Sequence, residues 1–238
     1  MLPRPPDAPS PSAPPLSAPG PAFLTADALA AALPACRDPA GWAGPLRAAC
    51  GRWGIATPRR VAAFLGQVGH ESGDLNRLQE SLNYTPAALR QLWPVRVPAW
   101  LADRIGRTAA HPADQAAIAE AVYGGRMGNA RSGDGWRFRG CGLIQLTGRD
   151  NHGACAAAFG LEAEAVPDWL LTRDGAAQAA AWWWHSRGLD ALADGGDVDA
   201  ISRRVNGGDN GLADRRDRTA RALAALEARA AASLAVPA

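Results

Sequence analysis

TPRRVAAFLGQVGHESGDLNRLQESLNY, residues 57–84, is the stretch that decides the fold class. Thr57 followed by Pro58 is a helix start, with the hydroxyl as N-cap and the fixed φ of proline at the first helical position. Val61, Phe64, Leu65 and Val68 then recur at the helical period, so this helix is expected to bury one face. It reaches His70 and Glu71 before Gly73 stops it. Glu80 lies nine positions after Glu71. On one unbroken helix nine residues turn through roughly 900°, which sets the two side chains on opposite faces. The break at Gly73 lets the chain turn back, so that Glu80 faces Glu71 across a groove.

Such a facing pair has a specific chemical use. Inverting hydrolysis of a glycosidic bond needs one carboxyl to protonate the leaving oxygen and another to activate a water on the opposite face, about 6.5–9.5 Å apart. The plainer reading is two surface glutamates. Against it, Glu71 ends an apolar helix face, where burial is expected to raise its pKa toward that of a general acid. His70-Glu71 does not open a zinc-protease motif, because the second histidine would fall at position 74, which is Asp74.

Outward from this stretch, Phe138-Arg139-Gly140-Cys141-Gly142-Leu143-Ile144-Gln145-Leu146-Thr147-Gly148-Arg149-Asp150-Asn151 is the second constellation. Two glycines let the backbone bend close to a partner. Residues 143–147 alternate, which predicts a short strand showing Gln145 and Thr147 on one face with Asn151 just beyond. Amides and hydroxyls are the groups that bond sugar hydroxyls and N-acetyl groups. Asn206-Gly207-Gly208 is a glycine-rich turn in isolation. Trp182-Trp183-Trp184 spans about 200° of helix, so most of it is core and at most one ring lines a groove. Tyr84 and Trp136, beside the polar motifs, are the better candidates for stacking on a sugar.

The remaining chain reads as mainly α. Thr25 caps a helix through about residue 33, Thr85-Pro86 opens one through about 92, and further helices fit 150–160, 174–187, 197–205 (with Asp197 as cap) and 212–233. Residues 124–135 read as a loop. Residues 1–22 are rich in Pro, Ala and Ser and are expected to form a disordered tail, followed by a single catalytic domain over 23–238. There is no internal repeat.

With 238 residues, 47% hydrophobic and 20% charged, the chain is long enough for two lobes sharing a cleft. A net charge of +2 is far from a nucleic-acid footprint, though it suits an anionic wall polymer. No uncharged apolar run is long enough for a membrane span. The N-terminus has no apolar signal core, so residence in the cytoplasm until release to the cell wall is the expected location. Four cysteines (Cys36, Cys50, Cys141 and Cys155) lack zinc spacing and are expected to be buried free thiols.

Together these motifs resemble family 19 glycoside hydrolases, from about residue 55 to 218, and the bacteriophage and bacterial endolysins of that family in particular. The elements occur in family order: Gln67-x-x-His70-Glu71-Ser72, Leu78-Gln79-Glu80-Ser81-Leu82-Asn83-Tyr84, Phe138-Arg139-Gly140-x-Gly142-x-Ile144-Gln145-Leu146-Thr147-Gly148, and Asn206-Gly207-Gly208. The resemblance implies a mainly α, lysozyme-like bilobal fold with a substrate groove between the lobes and a minor β element. It implies inverting hydrolysis of β-1,4 bonds beside N-acetylated sugars by a monomer, with a polysaccharide as partner and no cofactor or metal. By position, Glu71 matches the general acid, Glu80 the general base and Thr147 the hydroxyl that helps hold the water. Gln145, Asn151 and Asn206 match substrate-binding positions. Arg215 matches a cleft arginine, with Arg216 and Arg218 competing for that alignment. Cys141 and His152 depart from the pattern, standing where a polar residue and a tyrosine are usual. The short Glu71-to-Glu80 interval points to the endolysin branch, hence to peptidoglycan cleaved between N-acetylmuramic acid and N-acetylglucosamine. A chitinase and a non-catalytic wall-binding module are the alternatives.

Overall fold

The structure, a computed structural model, describes Pro14 and residues 19–234. Residues 1–13 and 15–18, most of the expected tail, lie outside the described residues. Packing begins slightly ahead of Phe23: Pro21 is buried, and Gly20 lies so close to Arg47 that an added Cβ would sit 2.0 Å from its carbonyl oxygen.

Among the described residues, thirteen α-helices run in the order α1 (Ala26–Ala32), α2 (Pro39–Arg52), α3 (Pro58–Ser72), α4 (Pro86–Leu92), α5 (Ala99–Ile105), α6 (Gln115–Tyr123), α7 (Asp134–Arg137), α8 (Arg149–Phe159), α9 (Val166–Trp169), α10 (Arg173–Ser186), α11 (Leu189–Asp194), α12 (Val198–Asn206) and α13 (Leu212–Leu234). The chain is mainly α, and among the described residues no helix is long and apolar enough to cross a membrane.

The local signals held where caps wrote them. The hydroxyls of Thr25, Thr57 and Thr85 and the carboxylate of Asp197 accept backbone N–H groups at the starts of α1, α3, α4 and α12. The missed helices include α2, α5 and α6. In α2, Gly41, Gly44 and an internal Pro45 argue against a helix locally, and burial of Trp42, Leu46, Ala49 and Cys50 overrides them.

Two apolar cores form. The larger gathers residues from Leu24 to Leu75 and from Cys141 to Leu226, and the smaller gathers Leu82 to Tyr123. The chain therefore leaves the large lobe after α3, builds a small lobe from α4 to α6, and returns through 138–147. α3 is the axis of the large lobe. It buries every residue from Val61 to Gly69 rather than the single face its apolar spacing predicts. Small residues explain the difference: a Cβ on Gly66 would lie 2.1 Å from Thr219 Oγ1, so α13 packs directly against the α3 backbone.

Two expectations need correction. The alternating run 143–147 is not a strand. Gly142 (φ 78°) and Gln145 (φ 52°) are left-handed, and they fold 142–145 into a turn closed by paired backbone bonds between Cys141 and Leu146. Residues 134–135, expected in the loop, instead begin α7. The tryptophan reading went further than expected, since Trp182, Trp183 and Trp184 are all core, at 2%, 3% and 2% exposure. All four cysteines are buried free thiols.

Candidate active site

A cleft of about 230 Å³ opens between the lobes, lined by Glu71, Glu80, Trp93, Tyr123, Arg126, Gly140, Ile144, Gln145, Thr147, Val205 and Asn206. Both carboxylates thus reach one cavity. The turn that brings them there is sharper than one glycine: Gly73, Asp74 and Leu75 are left-handed in succession, at φ 60°, 56° and 66°. A left-handed non-glycine residue costs of order 1–3 kcal/mol, so the surroundings must over-determine it. They do. Ser72 Oγ–H donates to the Val68 carbonyl (2.5 Å) and its oxygen accepts from Leu75 N–H (2.8 Å). The Asp74 carboxylate accepts from Ala35 N–H (3.1 Å) and pairs with Arg218.

Glu71, whose side chain is 22% exposed, is not seated against an apolar wall as expected. Arg215 donates to it at 2.5 Å and to Gln67 Oε1 at 2.6 Å. Arg215 is 1% exposed, and Gln67 is anchored in turn to Ser202 Oγ at 3.2 Å. The apolar period predicts a buried helix end, but it carries no sign of an ionic partner 144 residues downstream. Arg216 points elsewhere, to Asp199, and Arg218 pairs with Asp74 and Asp214. The arginine at Glu71 is therefore Arg215.

Glu80 is held by neutral donors. The Tyr123 hydroxyl donates to Oε2 at 2.8 Å and the Gly140 N–H to Oε1 at 2.5 Å, while Glu80 N–H donates to the Gly140 carbonyl at 2.9 Å. Burial and the nearby Glu80 charge push the Tyr123 hydroxyl pKa up, so it stays a donor. Sequence reasoning missed Tyr123. Its signal was present: Asp114 caps α6, and Ile118 and Val122 bury one side of it, which fixes Tyr123 at the helix end.

Gln145 and Thr147 line the cleft although no strand carries them. Gln145 Nε2 donates to the Gly142 carbonyl (2.9 Å) and Thr147 Oγ1–H to the Gln145 carbonyl (2.9 Å). The hydroxyl proton is thereby committed inward, leaving the Thr147 oxygen an acceptor toward the cleft. Asn206 lines the same cavity, its amide bonded to the Asn210 carbonyl at 3.0 Å. Asn151 sits behind, donating to the Thr147 carbonyl at 2.7 Å. Tyr84 and Trp136 do not line the cleft. Tyr84 packs edge-on against Trp93 (5.2 Å), and it is Trp93 that reaches the wall, beside Tyr123. Trp136 carries the Arg139 guanidinium on its face at 3.6 Å.

The two departures have structural roles. Cys141 is the bridge residue between Gln79 and Leu146, buried so that its thiol pKa is pushed up to about 11. His152 takes an aromatic place, edge-on to Phe138 at 5.2 Å, with Nδ1 bonded to the Gly148 carbonyl at 2.9 Å. Burial lowers its pKa to about 4. The folded state therefore keeps it neutral while the unfolded chain takes up a proton below the ordinary histidine pKa of 6.5. Stability from this residue is level above about pH 6.5 and falls by about 1.4 kcal/mol per pH unit toward pH 4. His152→Asn keeps a donor to Gly148 and removes the titration. Urea midpoints at pH 7 and pH 4.5 are expected to fall further apart in the parent than in the variant.

Gly140 offers a test of the Glu80 seat. A Cβ there would lie 3.1 Å from Gln145 Oε1 and 3.3 Å from Glu80 Cδ, tight enough to displace both. Gly140→Ala is expected to lower kcat/KM about tenfold with a thermal midpoint near the parent's, since displacement by tenths of an ångström misaligns the group without emptying the core.

No family model matches the chain. A Haemophilus influenzae protein named as a glycosyl hydrolase family 19 domain-containing protein is 37% identical over 164 residues, covering 68% of this chain and 78% of that protein. Among solved structures, chitinase C from Streptomyces griseus superposes with a TM-score of 0.56 at 18% identity, over 86% of this chain and 77% of that one. A bacterial family 19 chitinase superposes at 0.57 with 20% identity, over 86% and 95%. These two likenesses establish the fold.

Proposed function

The chain belongs to glycoside hydrolase family 19, and from that premise we propose that it is an inverting muramidase of the endolysin type. On this reading it cuts the β-1,4 bond between N-acetylmuramic acid and N-acetylglucosamine in peptidoglycan. The observation that supports inversion is that two carboxylates with unlike partners line one cleft: Glu71 against Arg215, Glu80 against Tyr123 and the Gly140 N–H. Glu71 gives its proton to the glycosidic oxygen. Water donates one hydrogen to Glu80 and the other to Thr147 Oγ1, whose own proton is committed to the Gln145 carbonyl. That orientation turns the water's lone pair toward the anomeric carbon. As the C–O bond breaks, Glu80 takes the water proton and the new hydroxyl forms on the opposite face. Gln145 and Asn206 would hold the sugar, and Trp93 offers a ring for stacking.

Peptidoglycan is preferred as substrate because the interval between Glu71 and Glu80 is short. Chitin hydrolysis is the second reading, favoured by the chitinases whose fold the chain shares. Mass spectrometry of products released from purified sacculi, set beside release from colloidal chitin, decides between them. Muropeptides ending in reducing N-acetylmuramic acid, fresh in the α-anomer, are the expected products. Chitin oligosaccharides alone would overturn the muramidase reading in favour of the chitinase, and no product from either polymer would favour a binding module.

A further inference from the structure

The hairpin of α4 and α5 leaves apolar side chains in solvent that the small-lobe core does not cover. Among the described residues the exposed large hydrophobics are Leu92 (52%), Val95 (94%), Trp100 (67%) and Leu171. A single exposed apolar side chain is ordinary, but three within nine residues of one hairpin form a patch. The fold dictates which residues are left outside. Leu89, Val97, Ala102 and Ile105 are spent on the small-lobe core. The Arg96 and Val97 N–H groups both donate to the Trp93 carbonyl, at 3.1 and 2.8 Å, which closes the tip of the hairpin around Val95. Arg90 of α4 pairs with Asp103 of α5 at 2.7 Å, which braces the two helices.

The charge of the hairpin is as one-sided as its surface. Residues 86–107 hold Arg90, Arg96, Arg104 and Arg107 against Asp103 alone, a net charge of +3, whereas the whole chain nets +2. Asp103 is answered by Arg90, while Arg104 and Arg107 stand exposed. Three kinds of partner are to be weighed against this combination. A second copy of the chain, docked patch to patch, sets +3 against +3, which opposes association. A glycan gains a ring to stack on at Trp100, but its hydroxyl-rich surface gives the aliphatic Leu92 and Val95 little reason to leave water. An anionic bilayer uses all three features. Its acyl boundary takes the aliphatic side chains, its headgroup level suits the tryptophan ring, and its surface potential attracts the arginines. Docking of this kind needs no spanning helix. We propose that the α4–α5 hairpin is a peripheral docking site for an anionic phospholipid surface. Trp93 at the end of α4 lines the cleft, and Arg96 Nη1 donates to the Gly124 carbonyl at 3.1 Å. A docked hairpin therefore holds the cleft beside the membrane.

Co-sedimentation of the full chain with vesicles tests this. The vesicles are phosphatidylcholine alone, or phosphatidylcholine with an equal part of phosphatidylglycerol. The parent is expected to bind the anionic vesicles about tenfold more tightly than the neutral ones, and to lose that preference as salt is raised. Val95→Ser with Trp100→Ser keeps every charge and removes the apolar contact. Its binding to anionic vesicles is expected to weaken by about tenfold or more, with a thermal midpoint near the parent's because both side chains are exposed. Arg104→Gln with Arg107→Gln keeps the apolar contact and is expected to bring the two kinds of vesicle close to equal. A parent that binds neither vesicle, or both equally, overturns the proposal. So does a preference that survives both double variants, since the contact then lies elsewhere on the chain. Loss of binding to lipid-free sacculi in Val95→Ser with Trp100→Ser, with vesicle binding unchanged, assigns the patch to glycan instead. A dimer in sedimentation that the same variant abolishes, without vesicle binding by the parent, assigns it to a second copy. The vesicles contain no glycan and no hydrolysis is read, so the outcome is independent of the choice between peptidoglycan and chitin.

Discussion

Glu71→Gln is expected to lower kcat on the natural polymer by about 10² to 10⁴, the range that general acid catalysis supplies. The substitution is nearly isosteric, and the amide oxygen can still accept from Arg215, which now bonds Glu71 at 2.5 Å. The left-handed turn after Ser72 does not depend on the Glu71 carboxylate, since Ser72 and Asp74 hold it. What disappears is the proton. A second effect is on stability: Arg215, 1% exposed, is left without a negative partner. Breaking a buried pair costs about 3–5 kcal/mol, and the retained hydrogen bond keeps the loss below that range. The thermal midpoint is therefore expected to fall by a few degrees while the fold persists. An aryl glycoside with an acidic phenol separates the two effects, because its leaving group needs no protonation. On that substrate the variant is expected to recover most of its rate. An equal loss on both substrates would mean that Glu71 holds the cleft together and is not the acid.

The legible and the illegible parts of this protein divide by range. Thr25, Thr57, Thr85 and Asp197 announce their helices because a cap is made within three residues of itself. Gly73 announces the end of α3 for the same reason. The helix pattern could not show that α3 is buried all round, since Gly66 and Gly69 read as weak positions until α13 and Leu33 are known to pack on them. The strand at 143–147 failed because an alternation of side chains is also produced by a turn, and the left-handed Gln145 is invisible in composition. In the site, Glu71, Glu80, Gln145, Thr147 and Asn206, named from the motifs, all line the cleft. Of the lining residues that escaped, Gly140, Ile144 and Val205 lie within or beside motifs already read, whereas Tyr123, Trp93 and Arg126 come from the small lobe, whose apolar residues meet only when α4, α5 and α6 fold together. Arg215 lay between these cases. Motif order brought it into question with Arg216 and Arg218, and only the geometry chose among the three.

Glu80→Ala is expected to be the second large loss, again about 10² or more in kcat, and its consequences differ in kind from those at Glu71. Glu80 takes hydrogen bonds from Tyr123 and from the Gly140 N–H, so alanine orphans two donors at once. Each costs about 1–3 kcal/mol if no water replaces the carboxylate, but the cleft is open to water and the penalty is expected to be small. The leaving group is still protonated by Glu71, so the defect is confined to the nucleophile. A small anion that needs no deprotonation can stand in. Azide in the space left by the side chain attacks the anomeric carbon as the glycosidic bond breaks and Glu71 gives its proton to the departing oxygen. The product is an α-glycosyl azide, and its formation restores turnover in proportion to azide concentration. Tyr123→Phe keeps the base but removes one of its two anchors, so a milder loss of about tenfold is expected, with no response to azide. The pairing of the two results is what identifies the base. Azide rescue of Glu80→Ala together with none in Tyr123→Phe places proton removal on Glu80 itself, whereas a Glu80→Ala protein that stays inactive in azide while remaining folded would move the base elsewhere in the cleft.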